Sequence, residues 1–290
     1  MTDTVIRVND LSLRYRGADR RALDEVSFDV ARGEVLGILG PTGAGKSTLL
    51  KCLAGVIPHY EHDSAHRGTV EVLGHSVAER GSLAEVVADV GLVLQDPEVQ
   101  LVNTTVREEL AWGMENRGTP VAEIHRRLAR SAGLFGVERL LDRFTHALSG
   151  GEKQRTVVAA TYCLGPQVML LDEPTSELDP AGTESVLQAV RVLAREGVTV
   201  VVVEHKVEEL AQYADRLMVL DQGRVTALGT PREVFTGEHA PYRPQVLEVA
   251  LRLRDLGRWS PAQLPLTVDD AVAAWRPAAG AASAVTGKEE

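Results

Sequence analysis

A glycine-rich segment at residues 40–48 has the residue types of a phosphate-binding loop. It reads Gly40-Pro41-Thr42-Gly43-Ala44-Gly45-Lys46-Ser47-Thr48. Glycines let the backbone curl so that successive N–H groups point at phosphate oxygens, and the helix that follows adds partial positive charge at its N-terminus. Lys46 would then reach the β- and γ-phosphates of a nucleotide, and the Ser47 hydroxyl would ligate Mg²⁺. A turn that only caps a helix is the competing interpretation, and the apolar strand before the segment argues against it.

An acidic pair follows a second apolar strand. Residues 168–171 are all apolar, and Asp172 and Glu173 come directly after them. At the tip of a buried parallel strand, Asp172 would hold Mg²⁺ directly or through water. Glu173 is placed to orient and polarise the water that attacks a phosphate. Two solvated loop acids are the alternative, and we favour the catalytic interpretation because the strand points at the phosphate loop.

Gln95 and His205 each follow a further apolar strand. Gln95 comes after the run 90–94, and His205 comes after the run 198–203 and one glutamate. A neutral imidazole could accept and donate hydrogen bonds around a terminal phosphate and a bound water. A single glutamine or histidine at a strand end is usually a surface side chain. Both predictions therefore depend on the place of these residues in the ordered set of motifs.

The segment Ser149-Gly150-Gly151 opens a helix and precedes the strand of Asp172. Ser149 is a favourable N-cap, and the paired glycines leave the helix N-terminus open to a phosphate. A plain helix cap is the competing interpretation. The position of the segment, between the phosphate loop and the acidic pair, favours a second phosphate-binding element.

A mainly parallel, twisted sheet is predicted from the way strands and helices alternate. Apolar runs predict buried strands at 35–39, 90–94, 168–171, 198–203 and 217–220. Helical spacing predicts helices at 46–54, 181–195 and 206–214. This alternation favours helices on both faces of a parallel sheet. Alternating apolar and polar residues predict antiparallel strands at 4–8, 11–15 and 24–30, with a hairpin at 68–77.

The predicted domain organisation is one large domain with a helical insertion. The pattern is helical over about 96–165, which is too long for a crossover and indicates an inserted subdomain. We assign residues 1–240 to the main domain and 241–276 to a C-terminal helical extension. Residues 277–290, rich in alanine, glycine and charge, are expected to be a disordered tail.

The order of these motifs over about residues 4–236 resembles the nucleotide-binding domain of ATP-binding-cassette (ABC) ATPases. The resemblance implies a P-loop NTPase α/β fold with a mainly parallel sheet, an antiparallel β edge subdomain and an inserted α-helical subdomain. It implies ATP and Mg²⁺ as cofactors, and ATP hydrolysis as the activity. In that family a glutamine at the place of Gln95 touches Mg²⁺ and the attacking water, which would make Gln95 catalytic together with Glu173 and His205.

The same resemblance implies further contacts with the nucleotide and with a second cassette. Tyr15, at the end of the second predicted strand, would place its ring against adenine. Ser149, Gly150 and Gly151 would contact the ATP held by another copy of the domain. The loop 176–179, which ends in Asp179, would cross the seam between the two cassettes. The partner cassette is either a second copy, in a homodimer, or a paralogue, in a heterodimer.

Residues 94–116 narrow the resemblance to the ATPases of energy-coupling factor (ECF) importers. The chain reads Leu94-Gln95-Asp96-Pro97-Glu98-Val99-Gln100-Leu101, and a Thr-Val-Arg-Glu-Glu segment follows at 105–109. The resemblance implies a transmembrane scaffold subunit and a small substrate-capturing membrane subunit as partners. It implies a vitamin or a transition-metal ion as cargo, and a peripheral location at the cytoplasmic face of the cell membrane.

Composition and charge bear on which alternative functions remain open. The net charge of −10 argues against a nucleic-acid partner, because phosphate backbones require clustered lysine and arginine. No signal peptide and no apolar run of about 18 residues is evident. The two cysteines lie in apolar patterns and are expected to be buried free thiols. The ATPase of another ABC importer or exporter, a soluble ABC protein outside transport and a plain nucleotide-dependent switch remain the alternatives, and the cargo cannot be read from this chain.

Overall fold

The computed structural model describes residues 3–61, 64–79, 83–237 and 240–282, and its strands form two sheets. In chain order the strands are β1 (Thr4–Tyr15), β2 (Leu23–Ala31), β3 (Val35–Leu39), β4 (Ser64–Val72), β5 (His75–Ser76), β6 (Val90–Val93), β7 (Val168–Asp172), β8 (Thr199–Val203), β9 (Arg216–Asp221) and β10 (Arg224–Gly229). The helices are α1 (Lys46–Leu53), α2 (Val56–His59), α3 (Leu83–Asp89), α4 (Val106–Asn116), α5 (Val121–Phe135), α6 (Gly150–Cys163), α7 (Pro180–Arg195), α8 (Val207–Tyr213), α9 (Pro231–Thr236), α10 (Gln245–Asp255) and α11 (Val268–Ala282). Single turns of 3₁₀ helix lie at Pro97–Val99, Glu138–Leu140 and Thr145–Ala147.

The larger sheet has the strand order β10-β9-β3-β8-β7-β6, and all of its pairings except β10 with β9 are parallel. Every residue of β3, β7 and β8 is buried. Strands covered on both faces read as continuous apolar runs, which is why the sequence pattern located them. The prediction of a mainly parallel sheet is confirmed. The half-exposed edge strand β10 was not predicted, since its residues form no continuous apolar run.

The smaller sheet is antiparallel, with the order β2-β1-β4-β5. The structure shows one strand from Thr4 to Tyr15 where the sequence predicted two, at 4–8 and 11–15. The pairing register shifts between Val8 and Leu11, and Asp10 adopts a left-handed conformation with φ of 48°. This irregularity changes which residues face the core, so the alternation of apolar residues is interrupted although the strand continues.

Helix α1 lies in an apolar cluster that joins both sheets. Val8 of the antiparallel sheet, Ile38 and Val203 of the parallel sheet and Leu49 of α1 are buried in the same cluster. The orientation of α1, which begins directly after the phosphate loop, is therefore determined by packing on two layers.

The predicted helical insertion contains α4, α5 and α6, and both α4 and α5 pack on α6. The Ser131 hydroxyl donates a buried hydrogen bond of 2.7 Å to the Ala159 carbonyl, which ties α5 to α6. Thr105 begins α4 with a capping box to Glu108, and α5 ends at Gly136 with φ of 63°. Local capping signals thus account for where these helices start and stop.

The C-terminal segment after residue 240 carries α10 and α11. Trp259 is buried and contacts Trp275 edge-on, with ring centroids 5.3 Å apart. Helix α11 is described as far as Ala282, through an alanine-rich run that favours helix, and so includes residues 277–282 of the segment predicted as a tail, 277–290. The rest of the predicted tail lies outside the described residues. Within the described ranges, every helix is too short or too polar to cross a bilayer.

Both cysteines are buried and free, as their sequence environments indicated. Burial raises the pKa of the Cys52 thiol to about 12 and that of the Cys163 thiol to about 11. Thiols of this kind are unreactive near neutral pH, because the thiolate is the nucleophilic form.

The packing of the helical insertion predicts a large difference between two phenylalanines. Phe135 is fully buried, whereas Phe144 is 53% exposed. We expect Phe135→Ala to lower the free energy of unfolding by about 3–5 kcal/mol through a buried cavity, and Phe144→Ala to lower it by less than about 1 kcal/mol. Urea denaturation followed by circular dichroism measures both variants, and equal losses would contradict this description of the core.

Candidate active site

The phosphate loop connects the C-terminal end of β3 to the N-terminus of α1. Glycine is required at two of its positions. A Cβ atom on Gly40 would lie 2.1 Å from the Leu220 carbonyl oxygen, and one on Gly45 would lie 2.3 Å from the Ala22 carbonyl oxygen. Gly45 also has a φ of 104° and caps α1 without a side-chain hydrogen bond. The first N–H groups of α1 therefore remain available to an anion at the helix N-terminus.

Lys46 is buried at the start of α1 and points back into its own loop. Its ammonium group donates hydrogen bonds to the carbonyl oxygens of Gly40, at 2.8 Å, and Pro41, at 3.1 Å. Burial lowers the pKa of Lys46, and the negative charges of Glu173 and Asp172 oppose this shift. The lysine is thus held close to the acidic pair.

Asp172 ends β7 with a buried carboxyl group. Burial is the main cause that raises the pKa of Asp172, and a hydrogen bond with Ser47 is the largest opposing effect. Its Oδ1 atom has no hydrogen-bond partner among the described residues. A buried carboxylate oxygen without a partner, beside a serine hydroxyl, fits the all-oxygen ligand set that Mg²⁺ prefers. The residues present are therefore compatible with a magnesium ion at this point.

Glu173 is held between Gln95 and His205. Its Oε2 atom accepts a hydrogen bond of 2.8 Å from the Gln95 amide, and its Oε1 atom lies 2.9 Å from the His205 Nε2 atom. The backbone of Glu173 is left-handed, with φ of 50°. The three predicted catalytic residues thus meet although they follow three different strands. Such strain in a non-glycine residue is typical of functional sites.

Tyr15 lies on the other side of the phosphate loop. Its hydroxyl group is 3.2 Å from the Thr48 hydroxyl of α1. An open groove of about 500 Å³ runs beside the ring and is lined by residues 14–19, Ser64 and Ala65. The structure therefore places the predicted adenine-contacting residue next to both the loop and a groove.

Ser149, Gly150 and Gly151 have their contacts with their own helix and with the loop that follows Glu173. Ser149 forms a capping box with Glu152, and Glu152 also pairs with Arg143 at 3.0 Å. A Cβ atom on Gly150 would approach the Glu177 carboxylate at 3.0 Å. The hydrogen bonds described for Ser149 do not involve the phosphate loop.

Asp179 likewise acts at the start of a helix. Its carboxylate accepts a hydrogen bond of 2.7 Å from the Gly182 N–H and caps α7. Among the sequence-predicted site residues, Ser149, Gly150, Gly151 and Asp179 thus form a group with local capping or packing contacts, whereas the others surround the phosphate loop.

The sequence analysis did not predict a buried brace, formed by Glu204 and Thr175, between the segments that carry Glu173 and His205. The Glu204 carboxylate is 2% exposed and accepts hydrogen bonds from Thr175, at 2.7 Å from the hydroxyl and 3.1 Å from the backbone N–H. Lys206 donates to the Thr175 carbonyl oxygen at 3.1 Å. The brace joins the segments that carry Glu173 and His205. An acid directly after an apolar strand was the available signal, but its partner lies 29 residues away in the chain.

A model of the ABC transporter family matches residues 23–176, which is more than half of the chain. The chain belongs to the ABC transporter family. The matched span holds the phosphate loop, Gln95, the segment 149–151 and the acidic pair. The sequence-based resemblance to ABC ATPases and the fold that it implied are confirmed.

Similar proteins point to one branch of the ABC family. An ECF transporter ATP-binding protein of Lacticaseibacillus paracasei is 41% identical over 233 residues, which cover 80% of this chain and 81% of the relative. CbiO1 of Clostridium perfringens, described as part of the ABC transporter complex CbiONQ, superposes with a TM-score of 0.73 at 31% identity. That comparison covers 88% of this chain and 98% of CbiO1. The predicted likeness to ECF-type ABC ATPases is confirmed.

Another similar ABC protein is much longer. An ABC transporter ATP-binding protein of Methanosarcina mazei is 36% identical over 256 residues, which cover 86% of this chain and 43% of the relative. The chain therefore spans less than half the length of this relative.

The brace at Glu204 yields a prediction about stability and pH. Glu204→Ala should lower the free energy of unfolding by about 1–3 kcal/mol, because the Thr175 hydroxyl and N–H lose their buried acceptor. Glu204→Gln keeps an acceptor oxygen and should lose less. Urea denaturation at neutral pH measures both variants.

The pH dependence of stability separates the charge of Glu204 from its hydrogen bonds. Burial raises the pKa of Glu204 above the ordinary value of 4.5, so the folded state binds this proton more tightly than the unfolded state. The stability that this proton contributes is present at low pH and is lost as the pH rises through the raised pKa. We expect the unfolding free energy of the wild type to fall relative to that of Glu204→Gln as the pH rises above about 4.5. Parallel pH profiles would contradict the raised pKa.

Proposed function

We propose that the chain is the ATP-binding and ATP-hydrolysing subunit of an ECF-type ABC importer for a vitamin or a transition-metal ion. The observation that carries the proposal is the Glu173 carboxylate, held between Gln95 and His205 beside Lys46 and Asp172. We assign the ATPase to residues 1–240, with the helical subdomain at 96–165. Residues 241–276 form an appended extension.

The phosphate loop and its neighbours would hold ATP with Mg²⁺. The N–H groups at the start of α1 and the Lys46 ammonium would bind phosphate oxygens, and Tyr15 would contact adenine. Ser47, Asp172 and Gln95 would hold Mg²⁺, which supplies positive charge against the phosphates.

Glu173 would act as the base that orients the attacking water. Its two oxygens contact an amide and an imidazole, so the carboxylate plane has a fixed direction. His205 is 47% exposed and can exchange hydrogen bonds with water while it contacts Glu173. Phosphoryl transfer depends mostly on positioning and electrostatics, which this arrangement supplies without covalent chemistry by the protein.

A second cassette would complete each nucleotide site. Ser149, Gly150 and Gly151 lie at a helix N-terminus and have no described hydrogen bond with the phosphate loop of their own chain. We infer that they bind the ATP held by the partner cassette, with the Asp179 loop at the seam. ATP would favour closure of the pair and hydrolysis would allow opening, a population shift caused by differential affinity for the closed state. The partner is a second copy or a paralogue.

The membrane partners would bind the helical subdomain. Large apolar side chains are exposed in this part of the chain, namely Val99, Val102, Trp112, Val121 and Phe144. Exposed apolar side chains of this size support an interface with coupling helices of a transmembrane scaffold. The chain would thus lie peripherally at the cytoplasmic face of the membrane. The similarity to the ECF transporter ATP-binding protein of L. paracasei, and to CbiO1 of the CbiONQ transporter complex, supports the assignment to an ECF-type transporter.

The hydrolysis step is tested by a conservative substitution. Glu173→Gln should lower kcat for ATP hydrolysis by about 10²–10⁴-fold, because the amide cannot accept a proton from water. The affinity for ATP should change little, since phosphate binding rests on Lys46 and α1. Phosphate release and fluorescent-ATP titration measure the two quantities. Glu248→Gln, on the exposed face of α10, is the matched control. Equal turnover by both variants would exclude Glu173 as the base.

The transport assignment is tested by isolating the membrane complex. The chain, purified under mild detergent from its native membranes, should co-purify with a transmembrane scaffold and a small capture protein identified by mass spectrometry. Lys46→Ala should retain these partners while it loses ATP binding, because the partner surface lies in another subdomain. Recovery of other transporter membrane domains would keep the ATPase and reject the ECF assignment. Recovery of soluble partners alone would reject transport.

A further inference from the structure

The 3₁₀ turn at Pro97–Val99 is firmly attached to the parallel sheet. Asp96 caps the turn by accepting a hydrogen bond of 2.9 Å from the Glu98 N–H. Gln100 attaches it to the strand that precedes it, because its side chain accepts from the Leu94 N–H at 2.7 Å and donates to the Leu92 carbonyl oxygen at 3.0 Å. The turn therefore follows any displacement of Gln95, which lies between these anchors.

An ion pair connects this turn to α6. The Lys153 ammonium group contacts the Glu98 carboxylate, over a sequence separation of 55 residues. The Lys153 side chain is only 15% exposed, whereas the Glu98 side chain is 69% exposed. The Lys153 side chain is therefore largely buried, and the exposed Glu98 side chain extends from the turn to its ammonium group. The contact joins the Gln95 segment to the first turn of α6.

Lys153 lies on the helical turn that presents the predicted second phosphate-binding element. Its backbone N–H donates to the Ser149 carbonyl oxygen at 2.9 Å, which is the first hydrogen bond of the helix. The capping box between Ser149 and Glu152 makes this first turn a rigid unit. A displacement of Lys153 is therefore transmitted directly to Ser149, Gly150 and Gly151.

We propose that Glu98 and Lys153 are positioning residues that couple the two halves of the nucleotide chemistry within one chain. Gln95 contacts the chain's own catalytic Glu173. When Gln95 moves, the ion pair moves the segment Ser149–Gly151, which contacts the partner's ATP. The inference rests on the proposed function, because that function assigns Ser149–Gly151 to the partner's nucleotide. The same turn presents Val99, which is 64% exposed, so contact with a membrane partner would act on the same link.

The pair suits a coupling role better than a stabilising one. A pair with one exposed member contributes little to folding, so its loss leaves the fold intact. Its effect is to fix the position of α6 relative to the turn. Charge reversal can therefore test coupling without unfolding the subdomain.

Hydrogen exchange with mass spectrometry tests the proposal on the full chain. The parent, Glu98→Lys, Lys153→Glu and the double reversal are compared with and without the β,γ-imido analogue of ATP and Mg²⁺, at a concentration where sedimentation shows a single copy. The analogue should slow exchange at residues 40–48 and 96–101 in all four proteins. At residues 150–156 the analogue should also slow exchange in the parent. This slowing should be about two- to fivefold smaller in each single reversal, because exposed ion pairs have interaction energies of that size. The double reversal should restore it.

A control variant and separate outcomes distinguish failure of the proposed function from failure of the coupling. Glu71→Arg breaks an exposed pair with Arg7 on the antiparallel sheet and should leave the response at 150–156 unchanged. No response at 40–48 in the parent would contradict the proposed function and this inference with it. A response at 40–48 without one at 150–156, or one that survives both single reversals, would overturn the coupling alone. Failure of the double reversal to restore the response would overturn the ion pair as its carrier.

Discussion

The backbone turn at Glu173 is the constraint on which the site depends. The Glu173 N–H donates to the Val203 carbonyl oxygen at 3.0 Å, so the pairing of β7 with β8 continues one residue past Asp172. The left-handed φ of 50° then turns the chain away from the sheet. Asp172 consequently stays buried beside Lys46, while Glu173 reaches the residues that follow β6 and β8. In regular strand geometry Glu173 would point to the face of the sheet opposite Asp172 and would not leave the sheet toward Gln95 and His205.

Burial gives these two neighbouring acids different properties. Asp172 is largely removed from water, whereas Glu173 keeps a partly exposed carboxylate with two polar partners. Groups in such different surroundings can serve different tasks, one as a cation ligand and the other as a base. Glu204 is also buried, and its carboxylate accepts hydrogen bonds from Thr175 that join the segments of Glu173 and His205.

The sequence predicted those parts of the site that depend on local patterns, such as an apolar strand or a helix cap. Apart from Asp172 and Thr199, the buried strands β3, β7 and β8 are apolar. A predicted site residue follows each of them, so the meeting of Lys46, Glu173 and His205 could be predicted from parallel topology. The N-cap at Ser149 was visible for the same reason. Three features could not be predicted: the Glu204 brace, the hydrogen bonds of the Gln100 side chain with Leu92 and Leu94, and the ion pair of Glu98 with Lys153. Each depends on distances between segments that are defined only in the folded chain. The continuous β1 was missed because the irregularity at Asp10 imitates a strand boundary.

The hydrogen bonds of Lys46 affect how an anion would enter the loop. Its ammonium group already has two carbonyl acceptors, Gly40 and Pro41, and these same contacts hold the loop in its curled shape. An ammonium group has three N–H donors, so an arriving phosphate can use the third, and each further contact with Lys46 must replace a carbonyl oxygen of the loop. The loop has lost its conformational entropy during folding, so little ordering remains to oppose association. Selectivity then favours ligands that offer several strong acceptors at once, because a weak or singly charged anion cannot replace what the loop supplies to its own lysine.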